Sequence, residues 1–262
     1  MGIWEAILLG LIQGLTEFLP VSSSGHLVIF QDLLGLNEPG ITLEVMLHFG
    51  TLLSVIWVFS RDFLNLLNFR KDNQQKHLLL MLAIGVTVTA IIGLVFSSYI
   101  NLLFKSTLLV GFMLLLTGGI IKLLAILPPG RIKITEMKVQ DAFWVGLLQG
   151  FAVLPGISRS GSTIMAARWR GLDRETAISY SFMLAAPVIL GATLLEAKEL
   201  FASGIEKAML FNYSAGGLAA FLSGIAAIKL FIKLLSGHKI HYFAYYCWGI
   251  GALVIIVSLI RL

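Results

Sequence analysis

The sequence predicts an all-α fold, in which a single domain of 262 residues forms a polytopic bundle of membrane helices. Three observations support this prediction. Hydrophobic residues make up 58% of the chain and charged residues only 13%, whereas soluble globular chains carry about 25% charged residues. Apolar segments of spanning length recur along the whole sequence. Two further apolar stretches are interrupted by polar, glycine-containing centres that resemble each other.

The first of these interrupted stretches runs from about residue 3 to 36 and breaks at Pro20-Val-Ser-Ser-Ser-Gly-His26. Each half is too short to cross a hydrocarbon core, which needs about 20 helical residues. Irregular backbone at membrane depth persists only where protein or water surrounds it, so we expect a re-entrant helix-loop-helix hairpin. The run begins without basic residues and lacks a small-residue cleavage site, so we do not expect a removable signal peptide.

The remaining elements follow the same order twice. Three apolar segments follow the first hairpin, then comes a second interrupted stretch at about 141–172, and three more segments follow it. The second stretch breaks at Pro155-Gly-Ile-Ser-Arg-Ser-Gly-Ser-Thr163 and also predicts a re-entrant hairpin. The predicted spanning helices lie near residues 43–60, 77–98, 106–127, 175–198, 211–235 and 243–261.

The two hairpins are copies of one another. Gln13-Gly14 corresponds to Gln149-Gly150, and Ser24-Gly25 corresponds to Ser160-Gly161, each pair separated by 136 positions. Because three crossings follow each hairpin, the second copy would be inverted, which gives repeats at about 1–128 and 137–262. Broken segments at matching positions of two inverted halves indicate a binding site near the membrane midplane.

Basic residues concentrate on one side of the predicted topology. The richer side carries Arg61, Arg70, Lys71, Lys76, Arg131, Lys133, Lys138, Arg168, Arg170, Arg174, Lys233 and Lys239. The opposite side carries Lys105, Lys198, Lys207 and Arg261. The richer side should face the cytoplasm, so both termini and the mouth of the first hairpin should face outward. This distribution accounts for the net charge of +5 without nucleic acid, for which no aromatic and basic surface is visible.

The second loop has the composition of an anion-binding cradle. Gly156 and Gly161 allow a tight turn in which amide groups converge, and the following helix start favours negative charge. Arg159 supplies a permanent charge with a planar fork that matches phosphate oxygens. The hydroxyl donors are Ser158, Ser160, Ser162 and Thr163. The simpler alternative is a helix break capped by serines, with Arg159 reaching the interface, but an arginine inside an apolar repeat favours anion binding.

The first loop carries complementary chemistry. Glu17 and His26 flank the serine run 22–24, and a carboxylate and an imidazole beside a phosphate can act as general base and general acid. Either His26 or a serine hydroxyl could attack phosphorus, with Glu17 orienting or activating it. The alternative for His26 is a polar residue bonded at a helix start.

A divalent cation is the cofactor that these residues favour. Gln13 lies one turn before Glu17, and Glu44 lies one turn before His48, so either Gln13 or Glu44 could join Glu17 in a site. No tight zinc motif is present. Carboxylate and phosphate oxygens suit Mg²⁺ or Ca²⁺.

The stretches from Gln13 to His26 and from Pro155 to Thr163 closely resemble the two signatures of the undecaprenyl-diphosphate phosphatase family, the bacitracin-resistance membrane phosphatases. The resemblance implies an enzyme of the bacterial inner membrane whose site opens outward. It implies hydrolysis of undecaprenyl diphosphate to undecaprenyl phosphate, which recycles the lipid carrier of cell-wall synthesis, with a divalent cation. It also implies catalytic roles for Glu17 and His26.

The site that we expect combines the two loops. The expected catalytic residues are Glu17, Ser23, His26 and Arg159. The expected phosphate-binding residues are Ser22, Ser24, Ser158, Arg159, Ser160, Gly161 and Thr163. One position departs from the family pattern, because Gln13 stands where the first signature often has glutamate. A pair of carboxylates one turn apart is therefore missing, and the cation would bind less tightly here or would use Glu44 or the substrate instead.

A transporter or flippase for a polyprenyl phosphate lipid is the alternative function, since inverted repeats with broken helices are common in transporters. A carrier would need the arginine and the cradle but has less need of a Glu17 and His26 pair beside them. A cation channel is disfavoured by the central Arg159. Membrane lipids should surround the helices, and the sequence leaves the oligomeric state open, a homodimer included.

Overall fold

The computed structural model describes residues 1–36, 41–104, 106–203, 207–236 and 239–261, and these residues form α-helices joined by short connections. A single 3₁₀ turn, Ile134–Glu136, precedes the second half. The α-helices are α1 (Ile3–Phe18), α2 (Ser23–Leu33), α3 (Ile41–Val58), α4 (Ser60–Leu66), α5 (Asn73–Phe104), α6 (Thr107–Ile126), α7 (Val139–Phe151), α8 (Arg159–Trp169), α9 (Arg174–Ser203), α10 (Lys207–Ser236) and α11 (His241–Ile260).

Five of the described helices, α5, α6, α9, α10 and α11, are long and apolar enough to cross a membrane. A sixth span results if α3 and α4, which are bent by 77° relative to each other, are counted together. The prediction of an all-helical, multi-pass membrane protein is therefore confirmed. The predicted span at 43–60 ends earlier, at Val58, because the backbone leaves helical geometry at Phe59 and the polar Ser60, Arg61 and Asp62 begin α4.

The two interrupted stretches form short helix pairs. Helices α1 and α2 contain 16 and 11 residues, and α7 and α8 contain 13 and 11. The breaks are shorter than the sequence predicted, because Ser23 and Arg159 already begin helices. The reason is N-capping, in which a serine oxygen accepts a hydrogen bond from an unsatisfied amide of the first turn. Ser22 Oγ accepts from the amide of Gly25, and Ser158 Oγ accepts from that of Gly161.

Each hairpin packs against the other half of the chain. Helix α1 lies along α10, and α7 lies along α5. The Thr89 hydroxyl donates to the carbonyl of Gly146 at 3.0 Å, and the Ser223 hydroxyl lies 3.5 Å from the carbonyl of Gly10 in the corresponding interface. Small residues at such contacts let helix backbones approach closely. The two halves therefore interlock through equivalent contacts.

Each hairpin has an ion pair at its outer end, and the two pairs have different partners. Asp32, near the end of α2, pairs with Arg261 after α11 at 2.6 Å. Asp141, near the start of α7, pairs with Arg170 at the end of α8 at 2.8 Å. The ion pair thus brings the two ends of the second hairpin into contact. Lys105, which entered the charge prediction, lies outside the described residues.

Candidate functional site

The tips of the two hairpins touch inside the bundle. A Cβ atom placed on Gly25 would lie 3.0 Å from the Cα of Gly156, and one on Gly161 would lie 3.3 Å from the Cβ of Pro20. Gly156 also has a positive φ of 97°, which a residue with a side chain rarely adopts. The glycines therefore permit an approach that brings the polar residues of both loops together.

Glu17 and Arg159 form the charged centre of this contact. Arg159 Nη2 donates to Glu17 Oε1 at 2.5 Å, although the residues are 142 positions apart in the chain. Ser23 Oγ donates to Glu17 Oε2 in a short hydrogen bond, and Gln13 Nε2 donates to the same oxygen at 3.1 Å. The side chain of Glu17 is 7% exposed and that of Arg159 16%. Removing either partner of such a buried pair costs about 3–5 kcal/mol, because an unpaired charge remains.

The second loop is held by its own serines and by a threonine from α6. The Ser158 side chain caps the amide of Gly161 at 3.1 Å, while its own amide donates to Thr117 Oγ1 at 3.0 Å. Thr117 in turn donates to the carbonyl of Gly156 at 2.7 Å. This arrangement fixes the turn directly before α8, and the start of a helix favours negative charge beside it.

The remaining hydroxyl groups of the second loop have different surroundings. Thr163 Oγ1 donates to the carbonyl of Arg159 at 2.9 Å and lies 2.5 Å from Ser181 Oγ of α9. Ser160 Oγ donates to the carbonyl of Leu19, in the other loop, at 3.3 Å. Ser162 Oγ is buried without a hydrogen-bond partner within the described parts of the chain. Thr163 and Ser160 are therefore tied to the scaffold around Arg159.

The first loop is strained at Ser22. This residue has a φ of 70°, and it is the only non-glycine residue with a positive φ among those described. A conformation of this kind costs of the order of 1–3 kcal/mol and persists when surrounding contacts enforce it. The Ser22 hydroxyl accepts from the Gly25 amide and lies 3.3 Å from the hydroxyl of Ser24. The strained turn places the next residue, Ser23, against Glu17.

His26 lies one helical turn after Ser22 and is 3% exposed. Its Nδ1 is 2.8 Å from the carbonyl oxygen of Ser22, and its Nε2 is 2.8 Å from the hydroxyl of Tyr246 in α11. A carbonyl oxygen only accepts, so Nδ1 carries a proton. The structure thus brings Glu17, Ser23 and Arg159 together, whereas the two ring nitrogens of His26 are engaged by Ser22 and Tyr246.

The residues around Glu17 fit a hard cation in part. Gln13 Oε1 is buried beside the carboxylate and has no hydrogen-bond partner among the described atoms. His48 lies within electrostatic range of both Glu17 and Glu44. In the described ranges, no three His, Cys, Asp or Glu side chains gather as metal ligands would. An ion would therefore depend on Glu17, the Gln13 carbonyl oxygen and oxygens of a bound phosphate.

Three polar residues of the site lie in spanning helices and were missed in the sequence. They are Thr117 in α6, Ser181 in α9 and Tyr246 in α11. Threonine and serine are common in membrane helices, where they often bond to their own backbone, so they give little signal. Tyr246 follows another tyrosine near the start of a span, where aromatic residues ordinarily mark the membrane interface.

Comparison with known proteins identifies the family. Residues 6–253 match the family described as bacitracin resistance protein BacA. The chain belongs to this family. The resemblance that was predicted from the two signature stretches is thereby confirmed.

Relatives in the family match over nearly their full length. An undecaprenyl-diphosphatase of Halothermothrix orenii is 46% identical over 258 residues, which cover 98% of this chain and 99% of the relative. An undecaprenyl-diphosphatase of Alkaliphilus metalliredigens is 42% identical, with 99% and 100% covered. Undecaprenyl-diphosphatase 4 of Bacillus thuringiensis is 40% identical, with 96% and 95% covered. The similarity therefore includes both hairpins and the helices that surround them.

Proposed function

We propose that the protein is an undecaprenyl-diphosphatase, which hydrolyses undecaprenyl diphosphate to undecaprenyl phosphate and inorganic phosphate. The name shared by relatives of up to 46% identity supports this activity. The observation that carries it in the molecule is the contact of Arg159 and Ser23 with one carboxylate, Glu17, where the hairpin tips meet. Undecaprenyl phosphate would then be used again as the lipid carrier of peptidoglycan synthesis.

Arg159 and the start of α8 form the phosphate-binding part of the proposed site. A guanidinium group binds phosphate oxygens in pairs, and the amides at a helix start add partial positive charge. The hydroxyls of Ser22, Ser24, Ser158, Ser160 and Thr163, with Gly161, would be the further phosphate-binding groups of the two loops. Charge that develops on the transferring phosphoryl group would be stabilised here by these donors.

Ser23 is the attacking group that the contacts favour. Its hydroxyl already donates to Glu17, which can accept the proton as the oxygen attacks the terminal phosphorus. The bond from that phosphorus to the bridging oxygen breaks, and undecaprenyl phosphate leaves. Water then cleaves the phosphoserine and releases inorganic phosphate. His26 is less suited to attack, because Ser22 and Tyr246 engage both of its ring nitrogens.

A divalent cation, Mg²⁺ or Ca²⁺, would bind between Glu17, Gln13 and the substrate. When bound, such an ion neutralises part of the charge of the diphosphate. The unpartnered Gln13 Oε1 supplies a suitable hard oxygen at this place. Glu44 is the alternative second carboxylate for the ion.

We further propose that the chain forms two inverted-topology repeats, each with a re-entrant hairpin and three spans. The equivalent packing of α1 on α10 and of α7 on α5 supports two related halves. Asp32 with Arg261, and Arg168 with the carbonyl of Pro128, support hairpin mouths at opposite ends of the bundle. The positive-inside rule then places the mouth of the first hairpin on the outer face of the bacterial inner membrane. The isoprenoid tail would remain among the lipids or between helices.

The activity is tested by phosphate release from undecaprenyl diphosphate with purified protein in detergent, where transport between compartments is impossible. The wild type should release phosphate with Mg²⁺ or Ca²⁺. In Glu17→Ala and in Arg159→Ala the rate of phosphate release should fall at least about 100-fold, since single electrostatic groups in active sites contribute that much to the rate. Asp32→Ala, which removes the exposed ion pair with Arg261, is the matched control and should retain activity. A folded wild-type protein that releases no phosphate would contradict the proposed phosphatase activity and would favour a lipid carrier.

A further inference from the structure

A chain of hydrogen bonds runs from the last helix to the carboxylate of the site. The Tyr246 hydroxyl is 2.8 Å from His26 Nε2, and His26 Nδ1 is 2.8 Å from the Ser22 carbonyl oxygen. The Ser22 carbonyl carbon is bonded to the backbone nitrogen of Ser23, whose hydroxyl donates to Glu17. Tyr246 is 220 positions from His26 in the sequence, so only the fold creates this link.

The protonation of His26 gives the chain a direction. Because Nδ1 donates to the carbonyl, the neutral ring has its lone pair at Nε2. This lone pair accepts a hydrogen bond from the Tyr246 hydroxyl. The partner of one imidazole nitrogen sets the tautomer and the orientation of the ring. The rings of His26 and Tyr246 also lie nearly parallel, with centroids 5.7 Å apart and planes 7° apart. Tyr246 therefore constrains the orientation of the His26 ring, whose Nδ1 donates to the Ser22 carbonyl.

Ser22 is where this constraint matters for chemistry. Its positive φ is unfavourable for a residue with a side chain, and the equivalent Ser158 of the second loop has a φ of −77°. The carbonyl that His26 binds belongs to this strained residue. A small rotation of the peptide after Ser22 would move the Ser23 hydroxyl away from Glu17.

We propose that Tyr246 is a positioning residue of the phosphatase, which acts through His26 to hold Ser22 and thereby to aim Ser23 at the phosphorus. The proposal rests on the function proposed above, and it gives His26 a supporting role in place of attack. Tyr246 touches neither Glu17 nor Arg159 in the contacts described, so its effect on turnover should pass through the ring of His26.

Tyr246→Phe tests the proposal, because it removes the hydroxyl and keeps the ring. We expect kcat to fall about tenfold to hundredfold, as is typical for partners that orient a functional histidine, with KM essentially unchanged. Tyr245→Phe is the matched control: its hydroxyl contacts Lys122 at 3.4 Å on another face of α11, and the variant should turn over like wild type. In a His26→Ala background, Tyr246→Phe should cause no further loss.

Nitrogen NMR of labelled histidine provides a readout that needs no turnover. The chain has five histidines, and the His26 signals are those that disappear in His26→Ala. In Tyr246→Phe the His26 Nε2 signal should shift, whereas Tyr245→Phe should leave it in place. Wild-type turnover in the same preparation reports on the proposed function separately. Unchanged kcat in Tyr246→Phe, an effect on KM alone, or an unshifted Nε2 signal would each overturn the positioning role.

Discussion

At the scale of the residue, the most informative feature is that one carboxylate serves three donors. One carboxylate oxygen of Glu17 accepts a hydrogen bond from Arg159, and the other accepts hydrogen bonds from Ser23 and Gln13. A phosphate that approaches this cluster would compete with Glu17 for Arg159, which leaves the carboxylate free to take the Ser23 proton. In the proposed mechanism, the ion pair would therefore keep the base and the phosphate ligand together until the substrate separates them.

Replacement of Ser23 tests this interpretation directly. Ser23→Ala should lower kcat by about 10³-fold or more, because the residue would form the covalent intermediate. Ser214→Ala removes an exposed hydroxyl that bonds only within α10 and should behave like wild type. Acid quenching of the wild-type reaction with labelled substrate should trap phosphoserine at position 23. Near-normal turnover by a folded Ser23→Ala would instead show that water attacks phosphorus without this residue.

Gln13 should influence how tightly the proposed cation binds. Gln13→Glu adds a second carboxylate one turn from Glu17, so half-maximal activity should require less Mg²⁺ or Ca²⁺ than in wild type. Gln13→Leu removes the unpartnered amide oxygen and should raise the requirement. Titration of activity against each cation measures both effects. Identical cation requirements in the three proteins would contradict a role for this residue in ion binding.

At the scale of the element, the first helix of each hairpin is stabilised because it is packed against a helix of the other half. Helix α1 contacts α10 where Gly10 meets Gly216, and α7 contacts α5 where Gly146 meets Gly85. In a membrane there is little hydrophobic driving force between helices, so close packing and hydrogen bonds hold them. The close glycine contacts therefore stabilise these helices, as the burial of apolar side chains stabilises soluble proteins.

Substitution of these glycines should loosen the hairpins. A Cβ atom at Gly10 would overlap the Gly216 carbonyl, and one at Gly146 would overlap that of Gly85. Overpacking of this kind destabilises by about 1–3 kcal/mol, so Gly10→Ala and Gly146→Ala should unfold at lower temperature in detergent. Gly119→Ala, which has open space around it in α6, should be neutral or slightly stabilising. Equal unfolding temperatures in all three variants would contradict the importance of these contacts.

At the scale of the whole molecule, the two halves complete a single site. The first half of the chain contains Glu17 and the serine run, and the second half contains Arg159 and the start of α8. The residues at equivalent positions differ in chemistry: Ser23 corresponds to Arg159, and His26 to Ser162. The two loops thus carry complementary groups, and the proposed catalysis would need both of them.

The proposed orientation is tested by labelling introduced cysteines in intact cells with a membrane-impermeant maleimide. The native Cys247 is buried and should remain unreactive. Gly2→Cys should be labelled from outside, whereas Lys71→Cys should react only after permeabilisation; both positions are exposed. Labelling of Lys71→Cys in intact cells, with protection of Gly2→Cys, would reverse the orientation and place the first hairpin mouth toward the cytoplasm.

The sequence by itself determined the class of the protein, the positions of its spans and the two loops that meet in the site. Hydrophobic length is a local property, so α5, α6 and α9 to α11 could be located without knowledge of packing. The polar breaks in two apolar stretches located the two short helix pairs, whereas the repeat that their common spacing of 136 predicts stays a prediction. The bend at Phe59 was not predicted, since apolar residues continue to Phe59 and no proline marks the change of direction.

Only the tertiary structure decided which groups touch. The sequence placed Glu17, His26 and Arg159 in loops, but it could not show that Arg159 pairs with Glu17 while His26 turns toward Tyr246. It also gave no indication of Thr117 and Ser181, whose hydroxyls stabilise the second loop from distant helices. The physical reason is that hydropathy and spacing encode which segments enter the membrane, whereas the direction of each side chain depends on how those segments pack against one another.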